Sequence, residues 1–378
     1  MSHLRSLILT NFRCYGAARL DDVSSGLVVL HGANGAGKTN VLEAVSLLSP
    51  GRGLRGARVM DIQSQNHGDA WAVAAELATD YGPIKLGTGL DVSSKAGAEK
   101  RVIRVNGQNA RGQNAFAEHV SCVWLTPQMD RLFLDSSSHR RRFLDRLVFA
   151  FDPGHSGRLT RYENAMRQRS RVLSDGGDAA WVEGLESQMA ETGCAIAAAR
   201  LDFVERLQAA CEAVDTPDVS GYFPLARLRA KGAVEELLVE ASALEAEDIF
   251  KVNLRESRAR DAIVGGAAMG PHKSDLDVRY AAKNMPADQC STGEQKALLI
   301  GIILAHAALI KAERGAPPIL LLDEVAAHLD EARRGALYDL LEDLGAQVWL
   351  TGTDENLFTA IEGRAQFFEV RDAAVFVS

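Results

Sequence analysis

No two cysteines in this sequence form a Cys-x-x-Cys pair. The five present, Cys14, Cys122, Cys194, Cys211 and Cys290, are odd in number and widely spaced. That pattern gives neither a disulfide framework nor a zinc site, and it fits a reducing cytoplasm. A membrane-spanning run is missing too: the longest nearly apolar stretch, Ala297 to Ile310, is shorter than the roughly 20 residues a spanning helix needs and contains His306, so it reads as a buried helix. The start, MSHLRSLILTNFR, lacks the small-residue cleavage site of a secretory signal, and export is not expected. No low-complexity tract suggests extended disorder. At 378 residues, 47% of them apolar and 24% charged, the chain is long enough for one large domain with an insertion or for two domains.

Excess positive charge is also lacking. A net charge of −8 argues against a protein that coats nucleic acid indiscriminately. The charge is unevenly placed, however: Arg140 to Arg171 holds nine arginines against Asp145, Asp152 and Glu163, whereas Gly232 to Phe250 carries six acidic residues and no basic one. A local positive face on an acidic protein follows.

What is present is ordered as α/β, helical insertion, α/β. Leu4 to Thr10 and Leu27 to Leu30 read as strands, and the second runs into HGANGAGKT and the helical NVLEAVSLL. WAVAAEL, IKLGTGLDV and RVIRV, with Asn106-Gly107 as a hairpin turn, predict a small antiparallel β layer. After Arg140, apolar residues recur every three or four positions (Trp181, Leu185, Met189; Leu201, Val204, Leu207), the pattern of a buried helix face, interrupted by the loop Ser174 to Asp178. Strand and loop signals return near Ile263, a helix follows from about Gly293 to Ala312, and PPILLLDEV reads as a fully buried strand.

Gly32-Ala33-Asn34-Gly35-Ala36-Gly37-Lys38-Thr39 matches GxxxxGK[ST] at each fixed position. Its glycines let backbone N–H groups turn toward a β-phosphate while the next helix adds its positive end. Lys38 is placed to bridge β- and γ-phosphates and Thr39 to bind magnesium. Ile319 to Glu324 supplies a second half: an apolar strand ending in Asp323, a candidate magnesium ligand, and Glu324, a candidate for polarising the attacking water. Ser291-Thr292-Gly293-Glu294-Gln295 opens the apolar helix and is similar to the ABC signature. Asp330 matches the D-loop after the acidic strand, and Gln128 falls where a Q-loop residue would. Each has a plainer reading: a capping turn for Ser291, a solvated acidic turn for the strand end, an ordinary loop glutamine for Gln128.

LRSLILTNFRCY, GANGAGKTNVLEAVSLLSPGRGLR, WLTPQMDRLFLDSSSHRRRFLDRLVF, GPHKSDLDV, STGEQKALLIGIILAHA and ILLLDEVAAHLDEARR run nearly end to end, and on them the chain resembles the RecF family, a relative of the SMC branch of ABC ATPases. The resemblance implies an ATP-binding protein that dimerises around nucleotide, hydrolyses it slowly under DNA stimulation, binds double-stranded DNA near gaps, and helps RecO and RecR load RecA. Two other functions stay in view: the nucleotide-binding subunit of an ABC transporter, and an ATP-switched DNA clamp with incidental hydrolysis. A long-armed SMC protein is excluded, since the insertion is only about a hundred residues long and shows neither sustained heptads nor a Cys-x-x-Cys hook. Departures from the family pattern fall at Gln128 (commonly Glu), at Lys273-Ser274 (commonly Arg-Asp), and in LTGTD, which offers Thr351 and Thr353 where a switch histidine is expected.

The fold expected is therefore an α/β ABC-type ATPase head with an antiparallel β layer and an inserted helical lobe: head residues 1–150, lobe 151–264, head 265–378. Expected catalytic residues are Glu324, Lys38 and Gln128. Nucleotide-binding residues are Gly32, Ala33, Asn34, Gly35, Ala36, Gly37, Lys38, Thr39, Asn40, Ser291, Gly293, Gln295 and Asp330, and in a two-fold dimer each ATP is expected between the loop of one subunit and Ser291-Gly293 of the other. Magnesium is assigned to Thr39, Asp323 and Gln128. Phosphate contact on DNA is assigned to Arg140, Arg141 and Arg142, and more widely to Arg158 to Arg171. For these arginines, internal pairing with acids such as Asp145 is the competing expectation.

Overall fold

The computed structural model describes residues 2–64, 70–91, 101–110, 112–215 and 221–378. They pack as two compact units, Met1–Met129 with Ala307–Ser378, and Asp130–His306. The chain opens with β1 (His3–Phe12), β2 (Tyr15–Leu20), β3 (Leu27–His31) and α1 (Lys38–Ser46). Then come β4 (Ala72–Ala78), β5 (Ile84–Leu90), β6 (Arg101–Val105), β7 (Gln108–Asn109) and β8 (Cys122–Leu125). The middle of the chain gives α2 (Ser137–Phe149), α3 (His155–Ser174), α4 (Ala179–Val214), β9 (Ala226–Lys231), α5 (Ala233–Glu240), α6 (Ala243–Glu256), α7 (Arg258–Val264), β10 (Asp275–Tyr280) and β11 (Met285–Pro286). Last are α8 (Thr292–Arg314), β12 (Ile319–Leu322), α9 (Glu331–Leu344), β13 (Val348–Gly352), β14 (Ala365–Arg371) and β15 (Ala374–Val377).

Two six-stranded sheets build the first unit. One, in order β15-β14-β3-β13-β12-β8, is parallel except for the β14–β15 pair. Its inner strands are apolar on both faces, as a covered parallel sheet requires: Val28, Val29, Leu30, Leu320 and Leu321 are all fully buried. The other, β2-β1-β4-β5-β6-β7, is the antiparallel layer. Asn106 and Gly107, both at positive φ (50° and 80°), turn β6 back into β7, the conformation a two-residue hairpin demands. Val92, the end of the expected IKLGTGLDV strand, lies outside the described residues. Both sheets share one core with α1, whose Val41, Leu42 and Val45 are fully buried. Each such side chain contributes about 1.5–3 kcal/mol through burial.

In the second unit α3 and α4 pack together around Tyr162, Val172, Leu185 and Met189, joined by Phe250 and Leu254 of α6. Gly176, at φ 66°, ends α3, and the Asp178 carboxylate caps α4 by accepting from the Ala180 N–H. A third sheet, of three short strands, runs β11-β10-β9. Ile263 is not near a strand; it sits in α7 and is 86% exposed, and the strand comes later, at Asp275–Tyr280. The helix Thr292–Arg314 is long and apolar enough to cross a membrane, yet 72% of its apolar window is buried within the protein.

Candidate functional site

The order of the parallel sheet decides where the chemistry gathers. β13 lies between β3 and β12, so the loop after β3, the acids after β12 and the end of β13 meet at the carboxyl edge of three adjacent strands. Gly32 and Gly37 cannot carry side chains there. A Cβ on Gly32 would fall 2.2 Å from the Val370 carbonyl oxygen, and one on Gly37 would fall 2.6 Å from the Tyr15 hydroxyl and 2.9 Å from Cys14 Sγ. Gly35, at φ 80°, has open space beside it, and Ala33, Asn34 and Gly35 are exposed. Ala36 turns back by donating its N–H to the Ala33 carbonyl.

Lys38 is buried, and its Nζ donates to the carbonyl oxygens of Gly32 (2.7 Å) and Ala33 (2.9 Å), which fixes the ammonium inside the loop. Burial lowers its pKa, opposed by the negative charges of Glu324 and Asp323. Thr39 Oγ1 lies 3.0 Å from each carboxylate oxygen of Asp323. Thr351 Oγ1 donates to Asp323 Oδ1 at 2.7 Å and accepts from the Glu324 N–H at 2.8 Å. Glu324 itself has φ 52°, a left-handed backbone rare for a residue with a side chain, so its Cα is turned away from the strand direction. Asn40 donates to Cys14 Sγ and accepts from Arg55, which also pairs with the buried Glu43, as does Arg13.

These residues fit a nucleotide triphosphate and a divalent cation. Side-chain-free positions at 32, 35 and 37 leave a loop of backbone with a captive ammonium, and a hydroxyl faces a buried carboxylate as a hard oxygen-seeking ion requires. Gln128, by contrast, is exposed on the short turn Pro127–Arg131. Thr353 is exposed as well, so Thr351 alone of the two switch threonines reaches the acids. The sequence offered Thr351 only as an uncertain sensor. Its neighbours became visible once β13 was inserted between β3 and β12.

Ser291, Gly293 and Gln295 belong to the second unit, at the start of α8. Ser291 and Glu294 form a reciprocal cap: the Ser291 N–H and hydroxyl donate to Glu294 Oε2, each at 2.9 Å, and the Glu294 N–H returns to Ser291 Oγ at 3.4 Å. Lys283 first, and then Ser291, holds the Glu294 carboxyl at about 2. Gln295 is buried, with its amide donating to the Cys290 carbonyl at 3.0 Å, whereas Ser291 and Gly293 are exposed. Asp330 caps α9 by accepting from the Arg333 N–H at 2.8 Å.

The arginine run divides by helix face. Arg140 makes a two-point pair with Asp275 (2.7 Å to each oxygen) and donates to the Asp135 carbonyl. Arg141 donates to the Ser274 carbonyl at 2.6 Å, and only Arg142 is exposed, touching Ser138. Asp145, the acid expected beside this run, instead holds Arg200 and His155. Farther on, Arg169 is fully buried between Glu186 and Asp261, and Arg158 pairs with Asp152. Arg161, Arg167 and Arg171 are exposed along α3.

The family model for the RecF/RecN/SMC N terminal domain matches residues 3–375. A DNA replication and repair protein RecF from Mesorhizobium japonicum is 48% identical over 375 residues, 99% of this chain and 97% of that one. Another of the same name from Allorhizobium ampelinum is 47% identical over 370 residues, 98% and 97% of the two chains. Among solved structures, the recombination mediator protein RecF-ATPrS in the RecFOR pathway superposes with a TM-score of 0.86 at 22% identity, covering 100% of this chain and 98% of that one. An Smc head domain with an extended coiled coil from Pyrococcus furiosus reaches 0.53 at 17% identity, covering 100% and 96%. Both share the ABC-type head fold seen here. With a family model matched over residues 3–375 and relatives near half identity over almost the whole chain, the chain belongs to the RecF family of ATP-binding DNA replication and repair proteins.

Proposed function

We propose that this protein is an ATPase of DNA repair that dimerises on ATP, binds duplex DNA near single-strand gaps, and helps RecO and RecR load RecA. The observation that carries the reading is the Thr39 hydroxyl 3.0 Å from both Asp323 oxygens, with Thr351 joining Asp323 to Glu324. Bound MgATP supplies the phosphoanhydride to be cleaved and the charge that neutralises its oxygens. Lys38 would meet the β- and γ-phosphates, Thr39 and Asp323 would hold the magnesium, and Glu324 would orient a water and accept its proton. Residues 32–40 bind the phosphates through the loop. Gln128 is assigned a second-tier contact to metal or water from its exposed turn.

One loop and one signature per chain mean that two complete sites need two chains. Ser291 and Gly293, exposed at the positive end of α8, then face the γ-phosphate bound by the partner, with Asp330 lining the same seam. Gln295 supports this turn from below. In that arrangement residues 265–306 act with the head (1–150 and 265–378), although residues up to 306 pack with the helical lobe. A dimer-bound duplex is held by exposed arginines, Arg142 with Arg161, Arg167 and Arg171, and Arg140 and Arg141 shape the surface that presents them. The five cysteines, all unbridged, agree with a reducing cytoplasm. Family membership removes the transporter alternative.

Sedimentation with and without ATP, and with gapped against intact duplex, tests the proposal. ATP should shift monomer to dimer, and gapped duplex should strengthen the dimer. A species that stays monomeric at saturating ATP in the presence of gapped DNA would overturn it.

A further inference from the structure

Ser291 has two tasks that compete for one proton. Its hydroxyl donates to Glu294 Oε2 at 2.9 Å, closing the cap at the start of α8. To meet a γ-phosphate on a partner, the same hydroxyl must turn outward, since it has a single hydrogen to give. Glu294 would then keep the Ser291 N–H at 2.9 Å and lose the hydroxyl. Its charge would stay. The carboxyl is held at about 2, first by Lys283 and then by Ser291, so it is ionised wherever ATP is. A carboxylate in the first turn of α8 suits the helix, but it repels a triphosphate approaching the same turn.

Lys283 meets that charge from a second element. β10 and β11 form a hairpin in which Tyr280 pairs with Met285, and Lys283 lies in the turn between them. The turn is fixed on both sides: the Asn284 N–H donates to the Ala281 carbonyl (3.2 Å), Asn284 takes φ 47°, and Arg279 donates to the Asn284 carbonyl (2.9 Å). From there the Lys283 ammonium pairs with Glu294 Oε1, the oxygen that Ser291 leaves free, and lies 5.2 Å from the centre of the Tyr280 ring. The first cation in α8 itself, Lys296, is buried and turned to Asp130 at 3.4 Å. The side chains of Lys283 and Glu294 are 48% and 23% exposed, so the pair reaches the surface, as Ser291 and Gly293 do.

We propose that Lys283 is a positioning residue of the ATP-bound dimer, which holds Glu294 by Oε1 and cancels its charge so that Ser291 can turn its hydroxyl to the partner's phosphate. The role rests on the dimer proposed above and adds to it a residue outside the signature turn. As a surface ion pair, Lys283–Glu294 contributes little to the fold; its effect appears when a polyphosphate approaches. Removing the lysine leaves a carboxylate facing phosphate, and removing the carboxylate makes the lysine dispensable. Glutamine at 294 keeps the cap, because an amide serves there as a carboxylate does.

The test measures the monomer–dimer equilibrium of the full-length protein by sedimentation at saturating MgATP, for the wild type, Lys283→Met, Glu294→Gln and both changes together. Lys283→Met should weaken the dimer by roughly tenfold or more, since a two-fold dimer carries the contact twice. Lys283→Arg should recover most of it. In the Glu294→Gln background the same loss of lysine should change dimerisation by less than about threefold. The ATP affinity of the monomer and the melting temperature should move little. A Lys283→Met protein that dimerises like wild type would overturn the role, and so would an equal loss in both backgrounds, because the lysine would then act on phosphate without Glu294. A wild-type protein that stays monomeric with ATP would instead refute the dimer itself, and this role with it.

Discussion

Thr351 Oγ1 lies 2.7 Å from Asp323 Oδ1 and at the same time accepts the backbone N–H of Glu324 at 2.8 Å. One hydroxyl thus sets the direction of Asp323, the acid proposed to hold magnesium, and anchors the residue that follows it, Glu324, in its left-handed conformation. Thr351→Val keeps the β-branched shape and removes both bonds. It should lower the ATP hydrolysis rate by at least tenfold with little change in ATP affinity, and Thr351→Ser should recover most of the rate. Glu324→Gln should also bind ATP and stop at the trapped dimer. A Thr351→Val protein that turns over at the wild-type rate would show that Asp323 and Glu324 are positioned without it.

Lys38 is held by two loop carbonyls, which fix its charge inside the loop. Lys38→Met removes that charge and leaves two carbonyls facing an apolar chain. ATP affinity should fall by two orders of magnitude or more, by about 3 kcal/mol on the usual conversion, while the fold persists. Nucleotide titration by calorimetry reads this directly, and unchanged affinity would show that Lys38 does not meet the phosphates.

Ser291 has a local task, since it shares a reciprocal cap with Glu294. Loss of the cap costs about 1 kcal/mol, and a change there must be separated from a change at the proposed dimer seam. Ser291→Ala removes the cap without adding bulk; Ser291→Arg removes it and fills the space a partner's phosphate would need. Both should melt a few degrees lower and bind ATP as monomers, but only Ser291→Arg should fail to dimerise. Equal dimerisation by the two would refute the in-trans role of Ser291.

His272 accepts from the Tyr162 hydroxyl at Nδ1 (2.8 Å) and, since a carbonyl can only accept, donates from Nε2 to Ala267 O (3.1 Å). Burial, aided by Lys273 and Arg141 and opposed by the Ala267 bond and Asp261, lowers its pKa from 6.5 to about 4. The unfolded chain therefore takes up this proton first as pH falls. Its contribution is complete above about pH 6.5 and is lost between there and pH 4, approaching about 3 kcal/mol at the lower end. His272→Gln keeps a donor and an acceptor without the titration. Urea midpoints at pH 6.5 and 4.5 should differ less in the variant than in the wild type; identical pH dependence would remove His272 as a source of acid sensitivity.

The loop at 32–39 was legible because its requirements are local: glycine where no Cβ fits, then Lys and Thr at the helix start. The strand ending in Asp323-Glu324 was legible for the same reason. Thr351 was harder, since only the strand order brings it to the acids. β9 escaped notice because ARLRAK exposes Arg227, Arg229 and Lys231 on one face and buries only alanines and a half-buried leucine on the other, a weak apolar alternation. Ile263 misled in the opposite sense, as an apolar residue at an exposed helix end. Compact packing divides the chain at 129/130 and 306/307 rather than where composition changes.

Three consecutive arginines illustrate what a sequence alone cannot sort. Arg140, Arg141 and Arg142 are chemically identical, but successive helix positions point about 100° apart, and only the location of Asp275 and Ser274, more than 130 residues later, separates them. Arg140→Ala should destabilise the protein by about 2 kcal/mol, because it strips a charged two-point hydrogen bond and leaves Asp275 facing an empty site. Arg142→Ala should leave the melting temperature unchanged. If Arg142 meets a DNA phosphate, that variant should bind different duplex sequences more weakly by a similar factor, and the slope of log affinity against log salt should flatten by about 0.9. Salt titrations and thermal melts on both single variants separate the roles. An unchanged slope for Arg142→Ala would move the proposed DNA surface to Arg161, Arg167 and Arg171, exposed along α3, and the same titration on their alanine variants would then decide it.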